Sequence, residues 1–122
     1  MTPLDHDWIG TYILEGKKAI PVDTLTWAKW FQNNPRHVND ELVGDIRIST
    51  VFLGLDHGWR SDRPPLLFET MIFGGPHNEE MQRCSTWEEA EVIHKATVER
   101  IREEQAWLDK TMNQITGSCP PA

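Results

Sequence analysis

The chain has 122 residues, of which 39% are hydrophobic and 25% are charged, and its formal net charge at neutral pH is −7. This length suits one domain with its own hydrophobic core and is short for two. No apolar run approaches the ~20 residues of a membrane-spanning helix. The negative charge argues against non-specific nucleic-acid binding, which needs a positive surface. A protein that mimics nucleic acid is also disfavoured, because Lys95, Arg100 and Arg102 interrupt the most acidic segment.

The compartment is indicated by the N-terminal residues and the cysteines. The chain does not begin with the basic start and apolar stretch of a signal peptide. Its two cysteines, Cys84 and Cys119, make no disulfide framework. Disulfides are rare where thiols are kept reduced. We therefore expect a cytoplasmic protein with one α+β domain over residues 1–116 and a disordered tail over residues 117–122.

The N-terminal third predicts a hairpin and a short helix. Strands over residues 11–14 and 18–22 flank a turn that contains glycine. Asp23 is placed to cap a helix from residue 24 to about residue 32, in which apolar residues recur at helical spacing. Residues 36–44 are polar, and their pattern predicts no element.

Two apolar segments, residues 45–55 and 66–73, predict neighbouring central strands. Alternation assigns one nearly apolar face, expected to receive the helices: Val51, Leu53, Leu55, Leu66, Phe68, Thr70 and Ile72. It assigns a second, mixed face: Thr50, Phe52, Gly54, Asp56, Leu67, Glu69, Met71 and Phe73. If Gly54 lies opposite Glu69, Asp56 and Glu69 are diagonal neighbours ~7 Å apart. A shift of two residues would separate them, and the sequence leaves the register open.

The last third predicts one long helix. Thr86 and Glu89 form a capping box, and a mostly apolar stripe runs from there to about Ile115. Such a helix is ~40 Å long, whereas a globule of this size is only ~35 Å across. Its last turns must overhang, bend or pack on another chain. We therefore expect an antiparallel sheet packed on one short helix and one long C-terminal helix, with that helix joining a homo-oligomer.

The mixed face predicts a binding pocket around Glu69 and Asp56. A carboxylate and a histidine are suited to general acid–base work or to holding a divalent metal, and a loop arginine to holding a phosphate. Gly54 leaves a gap for close approach, and Trp59 in its polar loop is suited to stacking on a flat ligand or anchoring an interface. The candidate ligand- or partner-binding residues are Thr50, Gly54, Asp56, His57, Trp59, Arg60, Arg63, Glu69 and His94.

A purely structural interpretation of these residues remains open. In it, Glu69 accepts hydrogen bonds from Thr50 or Tyr12 or pairs with Arg47. Asp56 caps the loop, and His94 lies at the edge of the core. The sequence assigns no catalytic residue and no cofactor. It assigns no metal set either, because the clusters at residues 5–7 and 77–80 lack the spacing of known metal motifs.

Several segments resemble a family of short proteins encoded by tailed phages and prophages. They are YILEG at 12–16, STVFLGLDH at 49–57, LFETMIFGG at 67–75 and STWEEA at 85–90, followed by His94. The resemblance spans roughly residues 10–102. The chain departs from the family at Cys84, where an aromatic residue is usual, and in its helix beyond about Arg102, which is an addition.

The resemblance implies a small phage accessory protein in the bacterial cytoplasm. We expect it to act by binding, by countering a host defence protein or by sequestering a nucleotide-type signal, without contacting a membrane. One alternative is a small metal-dependent hydrolase of nucleotides or nucleic acid, built on Asp56, Glu69 and a histidine. Another is a non-catalytic assembly factor.

Overall fold

The structure is a computed structural model that describes residues 10–56 and 63–117. In chain order its elements are β1 (Tyr12–Glu15), β2 (Lys18–Pro21), α1 (Thr24–Asn33), β3 (His37–Val43), β4 (Ile46–Phe52), β5 (Phe68–Phe73), β6 (Met81–Cys84) and α2 (Trp87–Gly117). β1 and β2 form a two-stranded sheet, and the others form a four-stranded antiparallel sheet in the order β3-β4-β5-β6. The predicted α+β fold is confirmed. None of the described helices is long and apolar enough to cross a membrane.

The hairpin and α1 form where the sequence predicts them. Gly16 takes a positive φ of 62° in the β1–β2 turn, a conformation that glycine adopts without strain. Asp23 caps α1, because its Oδ1 accepts a 2.7 Å hydrogen bond from the backbone N–H of Thr26. The helix then packs aromatic side chains on the four-stranded sheet, with the Trp30 ring 5.7 Å from that of Phe52.

Residues 36–44, to which the sequence assigned no element, contain the edge strand β3. A register shift between His37 and Asn39 breaks its alternation, and most of its side chains are exposed. An edge strand of this kind needs little apolar character, because it has one neighbour and charged residues protect its free edge. The local signal that was missed is the turn after Val43, where Gly44 has a φ of 60° and Val43 pairs with Ile46.

The observed pairing of the two central strands contradicts the predicted assignment of their residues to the two faces. Val51 lies opposite Glu69 and Thr50 lies opposite Thr70. Residues that pair directly share a face, so the buried Thr50 lies on the helix side and Glu69 on the other. The prediction was wrong because β4 ends at Phe52: Gly54, with a φ of 67°, takes the chain out of the ladder, and the apolar residues beyond Phe52 do not continue its alternation.

The four-stranded sheet therefore has a covered face and an open face. The covered face packs on α2 and consists, in β4 and β5, of Ile46, Ile48, Thr50, Phe52, Phe68, Thr70 and Ile72. The open face consists of the residues between them and of those that pair with these in β3 and β6: His37, Asp40, Leu42, Arg47, Ser49, Val51, Glu69, Met71, Phe73, Met81 and Arg83.

The long helix α2 begins and extends as predicted. In its capping box, Thr86 Oγ1 accepts from the Glu89 N–H and Glu89 Oε1 accepts from the Thr86 N–H, each at 3.1 Å. The helix has 31 residues, which is ~46 Å at 1.5 Å per residue. Its last buried side chain is Ile101, and the described side chains from Arg102 to Ile115 are exposed or half-buried. Within this chain the last turns overhang, which is one of the three outcomes that the sequence left open. The expected tail beyond Gly117 lies outside the described residues.

Candidate functional site

The structure separates most of the residues that the sequence placed in one pocket. Thr50 and His94 meet across the covered face, with Oγ1 and Nδ1 2.7 Å apart. Glu69 lies on the open face, where its Oε2 accepts a 3.0 Å hydrogen bond from Arg83 Nε. The sheet stands between them, so Glu69 and His94 do not surround a common ligand. The partner of Glu69 is also none of those expected, because β6 brings Arg83 beside it.

Asp56 lies beyond the end of β4, where it joins three segments of backbone. Its N–H donates to the carbonyl of Gly10 at 2.8 Å, and its Oδ1 accepts from the N–H of Leu66 at 3.2 Å. Asp56 is 8% exposed. These contacts agree with the structural interpretation, in which Asp56 caps the loop that leads to β5.

The gap at Gly54 is filled by protein. A Cβ built on this residue would lie 2.6 Å from Trp27 Nε1, 2.6 Å from Phe31 Cε1 and 2.7 Å from the carbonyl oxygen of Tyr12. The close approach that the sequence predicts is therefore made by α1 and by the backbone of β1, and no room is left there for a ligand.

The remaining predicted site residues belong to the loop between Asp56 and β5. His57, Trp59 and Arg60 lie outside the described residues. Arg63 is described, and its Nη1 donates to the carbonyl of Pro64 at 3.2 Å. The proposed roles of the three outside residues therefore stay predictions.

A chain of polar side chains crosses the core between the sheet and α2. The Thr70 and Thr50 hydroxyl oxygens are 2.7 Å apart, Thr50 Oγ1 is 2.7 Å from His94 Nδ1, and His94 Nε2 is 3.0 Å from Glu41 Oε1. Arg102 Nη2 lies 3.6 Å from the other oxygen of Glu41. The Glu41 carboxylate can only accept, so Nε2 of His94 donates to it. In the tautomer whose single proton is on Nε2, Nδ1 accepts from Thr50, which accepts from Thr70.

Hydroxyl, imidazole and carboxylate in this order resemble a nucleophile, base and orienting acid. Burial excludes that role in this structure, because Thr50 is 0% exposed and His94 is 1% exposed. A substrate would have to part the sheet from the helix to reach them. The chain of hydrogen bonds instead fixes α2 against three strands. Only its Glu41 end reaches the surface, in a cleft of about 400 Å³ between β3 and α2.

The sequence identified Thr50 and His94 but missed Glu41 and Thr70. Thr70 stood on the face assigned to the core, and Glu41 stood in the segment without a predicted element. A signal for Glu41 exists only once β3 is recognised, because its pairing with Ile48 places it on the covered face.

A larger groove of about 560 Å³ lies between the β1–β2 hairpin, the segment before β5 and the start of α2. The Trp87 ring forms part of its wall, and Lys17 Nζ lies 5.8 Å from the centre of that ring. This is within the distance of a cation–π contact. Phe68 supports the ring from within the core, at 6.2 Å and nearly perpendicular.

The groove also contains groups that can bind a polar ligand. Lys17 and Lys18 carry positive charge there, opposed by Glu15 and Glu88. Burial, and then the charge of Asp56, raise the pKa of Tyr12 above its ordinary value, so this lining phenol keeps its proton and can donate.

The start of α2 contributes less to the groove than a free helix end would. The backbone N–H groups of Ser85 and Thr86 both donate to Glu89 Oε1, at 3.2 and 3.1 Å. An anion would have to displace this carboxylate to bind them. The lysines are therefore the groups best placed to attract negative charge. The sequence did not predict this groove, because the groove joins three segments that are distant along the chain.

Neither a reactive thiol nor a cluster of metal-binding side chains is found among the described residues. Burial, followed by the charge of Glu89, raises the pKa of Cys84 to about 11, so its thiol stays protonated near neutral pH. Within residues 10–56 and 63–117, no three His, Cys, Asp or Glu side chains are grouped so that they could hold a metal ion.

Comparisons of this chain with protein-family models, with curated proteins and with solved structures found no match. The resemblance to short phage proteins therefore stays a prediction from the sequence. Any function must be supported by the geometry of the groove and of the residues around it.

Proposed function

We propose that this chain acts by binding a small, flat and negatively charged ligand of the nucleotide class in the groove beside Trp87. The observation that carries the proposal is the position of Lys17, 5.8 Å from the centre of the Trp87 ring in a groove of about 560 Å³. Small-molecule sites in proteins span about 300–1,000 Å³ and combine an aromatic wall with a few polar groups.

The ligand would bind through two contacts. Its ring stacks on Trp87, a contact worth about 1–3 kcal/mol for a nucleic-acid base. The long side chain of Lys17 then swings from the indole to the phosphate, and Lys18 adds a second positive charge. The protonated hydroxyl of Tyr12 supplies a hydrogen-bond donor on the same wall.

In this proposal the protein is a phage accessory protein that sequesters a nucleotide-type signal in the host cell, or blocks a host protein that carries such a ligand. Binding without turnover is supported by the burial of Thr50 and His94, which keeps their hydroxyl–imidazole pair away from the groove. Among the described residues, no geometric observation favours the metal-dependent hydrolase, because Glu69 and His94 lie on opposite sides of the sheet.

The test is calorimetric titration of the protein with mono-, di- and triphosphate nucleotides and with cyclic nucleotides. We expect at least one class to bind, and Lys17→Ala to weaken its affinity by roughly tenfold, as loss of a charge-assisted contact does. Trp87→Phe keeps an aromatic ring against Phe68 and should weaken binding less. Lys29→Ala, on the exposed side of α1, is the control and should bind like the wild type. If no nucleotide binds at millimolar concentration, the proposal fails.

A further inference from the structure

The open face of the four-stranded sheet carries an apolar patch. Leu42 is 67% exposed, Met81 46% and Phe73 41%, and Val51 and Met71 lie half-buried among them. Among the described elements, α2 packs on the other face of the sheet, and no helix or hairpin packs on this one. Exposed apolar patches that are interspersed with polar groups are typical of interaction sites.

The charges on the open face are paired with one another. Arg47 forms two hydrogen bonds to Asp40, from Nε at 2.8 Å and from Nη2 at 2.5 Å. Arg83 donates to Glu69 at 3.0 Å. Two arginines and two carboxylates leave this face with no formal net charge, counting histidine as neutral, whereas the whole chain carries −7.

We infer that the open face is the contact surface between two copies of this chain. A two-fold interface sets the same patch against itself, so a patch with net charge would repel its own copy. The open face avoids that repulsion, and its charged groups already have hydrogen-bonded partners, which lowers the cost of covering them. The outer side of α2 is a poorer contact, because it exposes several carboxylates: Glu88, Glu91, Glu99 and Glu103.

The size of the face predicts a weak dimer. Two of the strands have seven residues, β5 has six and β6 has four. At ~3.4 Å per residue and ~4.8 Å between strands, they give a surface of roughly 400 Å² per copy. A standard stable interface buries about 800 Å² per partner. The dimer should therefore dissociate on dilution into the micromolar range and form at higher concentration.

A competing surface is the overhanging end of α2, which the sequence predicts as the oligomer contact. Trp107 is 63% exposed there, and Met112 and Ile115 are each 57% exposed. The two interfaces can be distinguished by substituting one exposed residue on each surface.

Analytical ultracentrifugation from micromolar to millimolar concentration tests the inference, with circular dichroism to confirm that each variant is folded. We expect the wild type to pass from monomer to dimer, and Leu42→Glu to stay monomeric because it sets two carboxylates into an apolar contact. Val92→Glu is the matched control, since Val92 is 69% exposed on α2 and should leave dimerisation unchanged. The inference is overturned if the wild type stays monomeric at millimolar concentration or if Leu42→Glu still dimerises. It is also overturned if Trp107→Glu, rather than Leu42→Glu, abolishes the dimer.

Discussion

The two faces of the four-stranded sheet handle polar side chains in different ways. On the covered face, Thr50, Thr70 and His94 are buried, and each has a hydrogen-bond partner within the core. On the open face, the polar groups are charged and paired at the protein surface. A buried polar group without a partner costs about 1–3 kcal/mol, whereas an exposed ion pair contributes only about 0–1 kcal/mol. The stability of this fold should therefore depend far more on the buried chain of hydrogen bonds than on the ion pairs of the open face.

Removing the imidazole from the covered face should give the largest effect. His94→Ala creates a cavity and leaves Thr50 and Glu41 without their shared partner, so we expect the free energy of unfolding to fall by about 3 kcal/mol. Urea denaturation measures it. His77→Ala is the control: that ring is half-buried on the surface beside Glu104, and its loss should cost less than about 1 kcal/mol. Equal losses in the two variants would contradict the contrast between buried and exposed polar groups.

Removing only the Thr50 hydroxyl should have a smaller effect, because valine keeps the shape of the side chain. Thr50→Val leaves His94 Nδ1 and the Thr70 hydroxyl without their partner and should cost about 1–2 kcal/mol. In the double variant Thr50→Val/Thr70→Val, the Thr70 hydroxyl that Thr50→Val leaves without a partner is also removed. The loss of unfolding free energy should therefore be smaller than the sum of the losses in the two single variants. Strict additivity in denaturation experiments would show that these hydroxyls do not act together.

The smallest effect concerns the open face and depends on pH. The hydrogen bond from Arg47 holds the pKa of Asp40 below its ordinary value of 3.8. A carboxyl group whose pKa is lower in the folded state than in the unfolded state stabilises the fold at pH values above its unfolded-state pKa. This contribution is lost as the pH falls through its folded-state pKa. Asp40→Asn should therefore cost no more than about 0.5 kcal/mol near neutral pH. The difference from wild type should vanish in acid, once the pH lies below the lowered pKa of Asp40. Denaturation at both pH values checks this, and a difference that grows in acid would contradict it.

Local signals made the helices predictable from the sequence. Asp23 and the Thr86–Glu89 box each form within three residues, so their geometry is contained in a short stretch of chain. The apolar stripe of α2 extends the same kind of information over the whole helix. The strand β3 gave no such signal, because an exposed edge strand with a register shift resembles a polar loop.

The register and the site depend on contacts that no short stretch contains. The register between β4 and β5 is set where Gly54 ends their pairing. A shift of one residue in that register would place Glu69 on the other side of the sheet. His94 finds its carboxylate partner in a strand 53 residues away. The groove beside Trp87 combines three separate segments, so its existence follows only from how the hairpin lies against the sheet.

Gly54 determines how the hairpin lies against the sheet. The Tyr12 N–H donates to the Gly54 carbonyl at 2.7 Å, and an added methyl group would lie 2.7 Å from the Tyr12 carbonyl oxygen. Any larger residue must push β1 and α1 outward. The hairpin that begins at Tyr12 carries Lys17 and Lys18 over the groove, so a substitution at Gly54 would widen the distance between these lysines and Trp87. The affinity for the proposed ligand would thus depend on a residue that does not contact it.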